Sequence, residues 1–328
     1  MTHYQLVLDQ TVVDPLTSPA WVAWNERRTG FTATEIVCGE GDANGAKLSC
    51  LIYTDDKGRV RMPPLNPYLP LAFRPSPTTK NDRIYSQWTE LAGELADEFA
   101  TRQIKGRINF PPKFVDARPF QWAGFQAEWR YTFVADLEKP VVSDSSVRKR
   151  TRKAETKGYT VTRGGGMVEL LDCLNATEQR KGFGHHLSLR DLESLSESFD
   201  SDLFRTYVVR GRDGGAVSAG ARLTSEKGWA LDWVQGAIPS HLANGVNQLM
   251  YRAVLEDLAK DGIKFFDMGG ANIKAVAKAK SAWGFPTVPY ISLTSLGVAN
   301  QVRSAAYAAL KNSPRLLRGA EGIRNLGR

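Results

Sequence analysis

The sequence predicts an α/β (α+β) protein made of two consecutive copies of one domain, each built around a mixed central sheet. Three observations predict it. The chain has 328 residues, long for one compact core and comfortable for two of about 150. The order of strands and helices read over residues 1–136 recurs over 137–294. Finally, Phe120-Gln-Trp-Ala-Gly-Phe125 followed by Tyr131 is echoed by Lys280-Ser-Ala-Trp-Gly-Phe285 followed by Tyr290. So short an echo arises easily by chance; it counts because both copies follow the last helix of their unit and enter a final strand.

In the first unit, Tyr4–Leu8 alternates like a strand. Ser18-Pro19 opens a helix to about Arg28, with Ser as the cap and Pro at the first helical position. Strands are expected near Thr34–Cys38 and Lys47–Thr54, the second closed by Asp55-Asp-Lys-Gly58. A Pro-rich loop, Pro63–Pro70, precedes a long amphipathic helix over Asn81–Arg102. Strands at Gly106–Phe110 and Gln126–Ala135 bracket a short segment around Pro119–Ala123.

In the second unit, Ser145–Lys157 reads as a basic helix stopped by Gly158. Tyr159–Arg163 is a strand, and Met167–Lys181 and Arg190–Phe199 are helices. Strands Arg205–Arg210, Ala216–Thr224 and Trp229–Gln235 follow, the first two joined by the hairpin signal Asp213-Gly-Gly215. Helix Asn244–Lys260, strand Lys264–Asp267, helix Lys274–Ala282 and strand Thr287–Leu293 complete the unit. A last helix, Ser295–Lys311, leads into a basic tail, so residues 295–328 form a third segment.

Composition narrows the function classes. Apolar residues make up 42% and charged residues 24%, ordinary for a globular protein. No stretch approaches the roughly 18–20 apolar residues of a membrane helix. Three cysteines without metal spacing, and an N-terminus with neither basic region nor cleavage site, fit a reducing cytoplasm. The net charge of +8 is concentrated: Asp144–Arg163 holds seven Lys/Arg against two Asp/Glu, and Arg303–Arg328 six against one. Local basic fields of this kind attract phosphate-bearing partners. A solvated helix face and a plain basic tail would have the same composition.

The order strand, two helices, three antiparallel strands, helix, strand, helix, strand is similar to that of the GNAT acetyltransferase fold. More closely, the chain resembles the Fem-type (FemABX-like) branch, which carries two such domains in tandem. Arg148-Lys-Arg-Thr-Arg-Lys-Ala-Glu-Thr-Lys-Gly158 resembles the basic stretch that opens the branch's second domain. Asp267-Met-Gly-Gly270 resembles its acidic strand end followed by glycines. Lys280-Ser-Ala-Trp-Gly284 resembles its Phe-Lys-x-x-Phe-Gly motif, with Ala279 and Trp283 in place of the two Phe. The resemblance implies transfer of an acyl or aminoacyl group onto an amine, with the chemistry in the second domain and the first degenerate. In the best-known branch the donor is aminoacyl-tRNA and the acceptor a peptidoglycan precursor peptide; other branches are associated with envelope polysaccharides and small molecules.

Acyl transfer to an amine needs a neutral amine, a group to take its proton, and positive charge where the oxyanion forms. Lys280, beside the site by the family match, is the candidate for the last; a surface lysine on a basic helix would look the same. Asp267 ends a strand in the middle of the sheet, where open α/β folds place ligands. Asp232, in Trp229-Ala-Leu-Asp-Trp233, lies on the strand where acetyltransferases often keep a base, though the pattern leaves its face unsettled. Candidate substrate-binding residues are Arg148, Arg150, Arg152 and Lys153 on the basic helix, suited to a diphosphate or tRNA backbone. Arg180, His185 and His186, over the acceptor in this fold, and Trp283 of the motif complete the set. The paired histidines lack a second ligand cluster, so no metal is expected. Trp122, Trp129, Tyr131 and Trp233 are expected in core or inter-domain packing.

Ordinary acetyltransferases carry Gln/Arg-x-x-Gly-x-Gly/Ala before the central helix, where backbone N–H groups hold the coenzyme A diphosphate. Here that loop is Gly236-Ala-Ile-Pro-Ser-His-Leu-Ala-Asn-Gly-Val-Asn247, with no such spacing. The expectation is therefore an N-acyltransferase without a tightly bound cofactor. Its donor is aminoacyl-tRNA or, as an alternative, acyl-CoA or acyl carrier protein. Its acceptor is an amine-bearing small molecule, peptide or sugar nucleotide. A non-catalytic protein that binds RNA or an anionic membrane through its basic segments is the alternative from another class.

Overall fold

The computed structural model describes residues 15–39, 45–112, 114, 116–182, 184–200, 202–225 and 228–295. The strand expected at Tyr4–Leu8, the helix expected from Ser295 (beyond that first residue) and the basic tail lie outside these residues.

Local chemistry sets most elements where the sequence predicts them. Helix α1 (Pro19–Thr29) is capped by Ser18, whose Oγ accepts the Trp21 N–H at 3.3 Å. Strands β1 (Thr32–Cys38) and β2 (Lys47–Thr54) pair antiparallel. Two short strands, β3 (Val60–Arg61) and β4 (Leu71–Arg74), fall outside the sequence reading, being too brief to display a period. Helix α2 (Asn81–Arg102), strand β5 (Arg107–Asn109), helix α3 (Arg118–Trp122) and strand β6 (Phe125–Asp136) finish the first half.

The second half runs through α4 (Ser145–Thr156), β7 (Thr160–Arg163), α5 (Met167–Lys181), α6 (Leu189–Ser198), β8 (Phe204–Arg210), β9 (Ala216–Thr224) and β10 (Trp229–Ala237). It then continues through α7 (Val246–Lys260), β11 (Phe265–Asp267), α8 (Lys274–Ser281) and β12 (Thr287–Ser295). The helix expected from Asn244 begins two residues later. A 3-10 turn over Pro239–Asn244 precedes it, and Gly245, at φ 85°, breaks the continuity.

The strands form a four-stranded sheet of β1, β2, β3 and β4, and an eight-stranded sheet in the order β5-β12-β6-β11-β10-β9-β8-β7. The halves are interlocked through the larger sheet. β12 lies between β5 and β6, and β6 lies between β12 and β11, so the expected boundary at 136/137 falls at the end of a strand whose neighbours both come from the second half. The echoed segments become structure: α3 and α8 each lead through a left-handed glycine, Gly124 (φ 90°) and Gly284 (φ 78°), towards the paired strands β6 and β12.

Burial follows the same interlocking. Ile291 and Leu293 of β12 sit in the core of the first half with Leu95, Phe99 and Phe120. Phe133 and Ala135 of β6 join the core beneath α4 and α7. Trp21 and Trp24 of α1 pack among Leu192, Leu195 and Phe204 of the second half. All three cysteines are buried and unbridged. Among the described residues, no helix is long and apolar enough to cross a membrane.

Candidate active site

The site starts from a divergence of two strands. β10 and β11 run parallel for three residue pairs, from Trp229↔Phe265 to Leu231↔Asp267. Beyond them β10 continues against β9, with a register irregularity between Asp232 and Val234. The chain leaving β11 turns instead towards β6, where the Met268 N–H bonds the Phe133 carbonyl at 2.9 Å and the Ala271 N–H the Tyr131 carbonyl at 2.7 Å. The two strands therefore part at their carboxyl ends, and a cleft in that position is where open α/β sheets usually hold ligands.

Asp267 stands at its base, fully buried. Its Oδ1 accepts from Thr132 Oγ1 at 2.5 Å and the Gly269 N–H at 2.8 Å, and its Oδ2 from Tyr68 Oη at 2.9 Å. Burial pushes the carboxyl above its ordinary range, although these donors and the Lys280 charge pull the other way. A carboxyl raised on folding favours the folded state at low pH, and this contribution is lost as pH rises through the raised value. Asp267→Asn is therefore expected to match the wild type in stability below the ordinary carboxylate pKa and to gain on it as pH rises, in denaturant titrations across that range. A constant difference at all pH values would show that burial does not dominate.

Lys280 crosses the cleft from the end of α8. Its ammonium donates to three successive carbonyls: Met268, Gly269 (2.6 Å) and Gly270 (3.3 Å). An ammonium has three protons, so all are engaged. The left-handed backbone at Gly269 (φ 69°) lies in this turn, where an added Cβ would sit 3.1 Å from the Asp232 carbonyl. Burial lowers the Lys280 pKa, opposed by the charges of Asp232 and Asp267.

Asp232 faces inward, its side chain only 8% exposed. Its Oδ1 lies 3.0 Å from Nε of Arg222, a guanidinium with no solvent exposure, and its Oδ2 accepts from Tyr251 Oη. Arg222 also reaches Gln235 Oε1 at 2.7 Å and stacks over the Tyr251 ring at 5.5 Å. The three residues expected to carry chemistry thus converge.

Four supporting residues are absent from the sequence reading. Arg222 left a signal, a lone cation inside the apolar run Val217–Leu223. Thr132, Tyr251 and Tyr68 left none; Tyr68 belongs to the Pro63–Pro70 loop of the first half. That loop is strapped across the site by Trp233 Nε1 to the Leu65 carbonyl (3.2 Å) and Trp21 Nε1 to Asn66 Oδ1 (3.1 Å). Leu65 takes a left-handed φ of 70° there, a strained conformation held by its surroundings.

The other expected residues separate into groups. Trp283 is buried, its ring against Tyr251 (5.9 Å) and Phe285 (6.4 Å), so it backs the site rather than facing it. Arg180 is exposed at the end of α5, beside Lys181, whose charge is felt by Lys280. His185 and His186 belong to the connection from α5 to α6. His185 Nδ1 lies 2.9 Å from Glu178 Oε1, and the His186 carbonyl accepts from Arg28 of α1 at 2.8 Å. Among the described residues, no three His, Cys, Asp or Glu side chains gather as metal ligands.

The cations of α4 divide into two stripes around its buried residues Val147, Thr151 and Ala154. Arg150 and Lys153 lie towards the start of α7: Lys153 Nζ donates to the Ala243 carbonyl at 2.9 Å, and the Arg150 carbonyl presses on Gly245 so closely that a Cβ there would collide with it. Arg148, Lys149 and Arg152 face a separate groove. One expectation on aromatic residues is corrected. Trp233 packs against Trp21 and Trp24, but Trp122, Trp129 and Tyr131 are exposed by 64%, 52% and 46%. Trp129 and Tyr131 lie on β6 between residues that join the first-half core and residues that join the second, and belong to neither.

Comparison with known proteins bears on this geometry. Residues 144–275 match the family model described as an acetyltransferase (GNAT) domain. The fold is similar to that of FemX, with a TM-score of 0.62 at 14% identity over 88% of this chain and 94% of that one. It is also similar to L-PGS from Bacillus licheniformis, at 0.54 and 11% over 88% and 96%. The C-terminal domain of a putative lysylphosphatidylglycerol synthetase from Agrobacterium fabrum gives 0.54 and 12% over 94% and 96%. The chain has the fold of FemX, with a GNAT domain over residues 144–275. No curated protein matches its sequence. In this GNAT-type acyltransferase fold the parting of β10 from β11 puts Asp232, Asp267 and Lys280 around one cleft, while α4 rests on the loop before α7.

Proposed function

We propose that the protein is an N-acyltransferase that works without coenzyme A, moving an aminoacyl group from charged tRNA onto the amine of a cell-envelope precursor or small molecule. The observation that carries this reading is the seating of α4 on the loop before α7. A helix N-terminus after the central strand is the natural cradle for a diphosphate. Here the Arg150 carbonyl and the Lys153 ammonium already contact that loop. Arg150, Lys153 and Lys157 remain as exposed cations at the same end, fitted to phosphates of an extended backbone rather than to one diphosphate. Likeness to a protein named lysylphosphatidylglycerol synthetase is in keeping with an aminoacyl cargo.

In this reading the acceptor amine enters between the ends of β10 and β11 and attacks the ester carbonyl of the donor. A C–N bond forms, the ester C–O bond breaks, and the tRNA hydroxyl leaves. The amine proton passes to Asp232, which is in ion-pair contact with Arg222, and from there to the leaving ester oxygen. Lys280 supplies positive potential to the oxyanion, one carbonyl contact yielding as charge develops. Asp267 is a positioning residue: sealed from solvent, it ties Tyr68, Thr132 and the Met268–Gly270 turn together.

A label-transfer assay tests the proposal, with charged tRNA or acyl-CoA as donor and mixed envelope precursors as acceptors. Label leaving tRNA and surviving later RNase treatment is the expected result. Label leaving only acyl-CoA overturns the donor, and no transfer from either overturns the class. Lys280→Met is expected to lower transfer by about 100-fold or more while the donor still binds. Lys280→Arg should not rescue it, because a planar guanidinium cannot point three protons at converging carbonyls. Full activity in Lys280→Met would remove Lys280 from the chemistry.

A further inference from the structure

We infer that the outer stripe of α4, with the strap of residues 137–144 that precedes it, is a docking surface for an anionic lipid bilayer. The stripe of Arg150 and Lys153 is used in the reading above; Arg148, Lys149 and Arg152 are not. They line a groove of about 820 Å³ between α4, α7 and residues 137–145, whose walls include Val141, Leu255 and Trp283. Lys149 and Arg152 have no side-chain partner among the described residues, and Arg148 bonds only the Ser143 carbonyl. The carboxylates of the groove are engaged: Glu155 and Glu256 both pair with Arg252, at 2.5 and 3.5 Å. With Lys139, Arg148, Lys149, Arg152 and Arg252 set against these two carboxylates, the lining is net positive.

Beside these cations the strap exposes two valines, Val141 by 41% and Val142 by 80%. Exposed cations next to exposed aliphatic side chains match a lipid interface, where phosphates meet the first methylenes. Charge complementarity alone would suit RNA equally well, but RNA offers the valines nothing. The surface lies on the same second half as the cleft, and a bilayer contact there would bring the protein to membrane-bound material. The inference does not depend on the transfer reading, and failure of either leaves the other standing.

The test is co-sedimentation of the full chain with vesicles of phosphatidylcholine alone, or of phosphatidylcholine with about a third phosphatidylglycerol. Binding to the anionic vesicles only, weakened by salt, is expected. The triple variant Arg148→Glu, Lys149→Glu, Arg152→Glu should bind on the order of 100-fold more weakly, at about fivefold per lost cation. Val141→Ser with Val142→Ser should bind about tenfold more weakly. All five positions are solvent-exposed, and an unchanged unfolding midpoint confirms that each variant is folded. Anionic-vesicle binding that either variant set leaves intact would overturn the inference. So would indifference to the valines combined with displacement by tRNA, which would assign the stripe to nucleic acid. Equal binding to neutral vesicles, or none to either, overturns it as well.

Discussion

Asp232→Ala is expected to destabilise the fold by about 3–5 kcal/mol and to abolish transfer. The size of the effect comes from Arg222. Its guanidinium is fully buried, and Asp232 is the one carboxylate in ion-pair contact with it among the described residues. Removing that carboxylate leaves a cation that can neither shed its proton nor reach water, and it removes the acceptor of Tyr251 Oη. The double variant Arg222→Met, Asp232→Leu separates the two losses. Replacing a whole buried pair by apolar groups of similar volume is commonly neutral or stabilising, so the double variant should regain most of the wild-type stability in denaturant titration. Transfer should stay absent if Asp232 takes part in the chemistry. Recovery of activity with stability would reduce Asp232 to a structural counter-ion.

Gly236→Ala should be as damaging for a different reason. Gly236 lies near the end of β10, where α5 crosses directly over the strand. An added Cβ would fall far inside van der Waals distance of the Cys173 carbonyl and the Leu174 nitrogen. Those are backbone atoms of a helix that also holds the end of β10 through Thr177, whose Oγ1 accepts the Ala237 N–H at 2.9 Å. No rotamer relieves the collision, so the helix must lift. The expected loss is at least about 3 kcal/mol, the upper end for overpacking. Lifting α5 would also shift Lys181 away from the cleft. Gly93→Ala provides the contrast: this glycine is in α2 with open space around it, and alanine there should stabilise by about 0.5–1 kcal/mol. Thermal unfolding of the pair checks both signs, and a well-tolerated Gly236→Ala would mean that α5 does not pack on β10 as described.

Much of the fold was legible because its causes are local. The Ser18 cap, the period of α2, the Asp213-Gly-Gly215 turn and the glycines after α3 and α8 each leave a pattern within a few residues. The placement of Asp267 at the end of a central strand followed from that order of elements. The exposure of Trp129 and Tyr131 did not. An aromatic residue on a strand looks the same whether it joins a core or falls between two, and β6 contributes to two different cores.

By itself the sequence determined the succession of elements, the duplication, the concentration of positive charge on α4, and the candidates Asp232, Asp267 and Lys280. Only the tertiary structure decided that β6 and β12 join the halves into one sheet. It also decided that Asp267 is sealed rather than open to substrate, and that the three protons of Lys280 are spent on backbone carbonyls. Tyr68 meets Asp267 across 199 residues of chain. Contacts of that range depend on where whole elements pack, and burial, unlike a cap or a turn, belongs to the assembled layers and leaves no mark on the residues beside it.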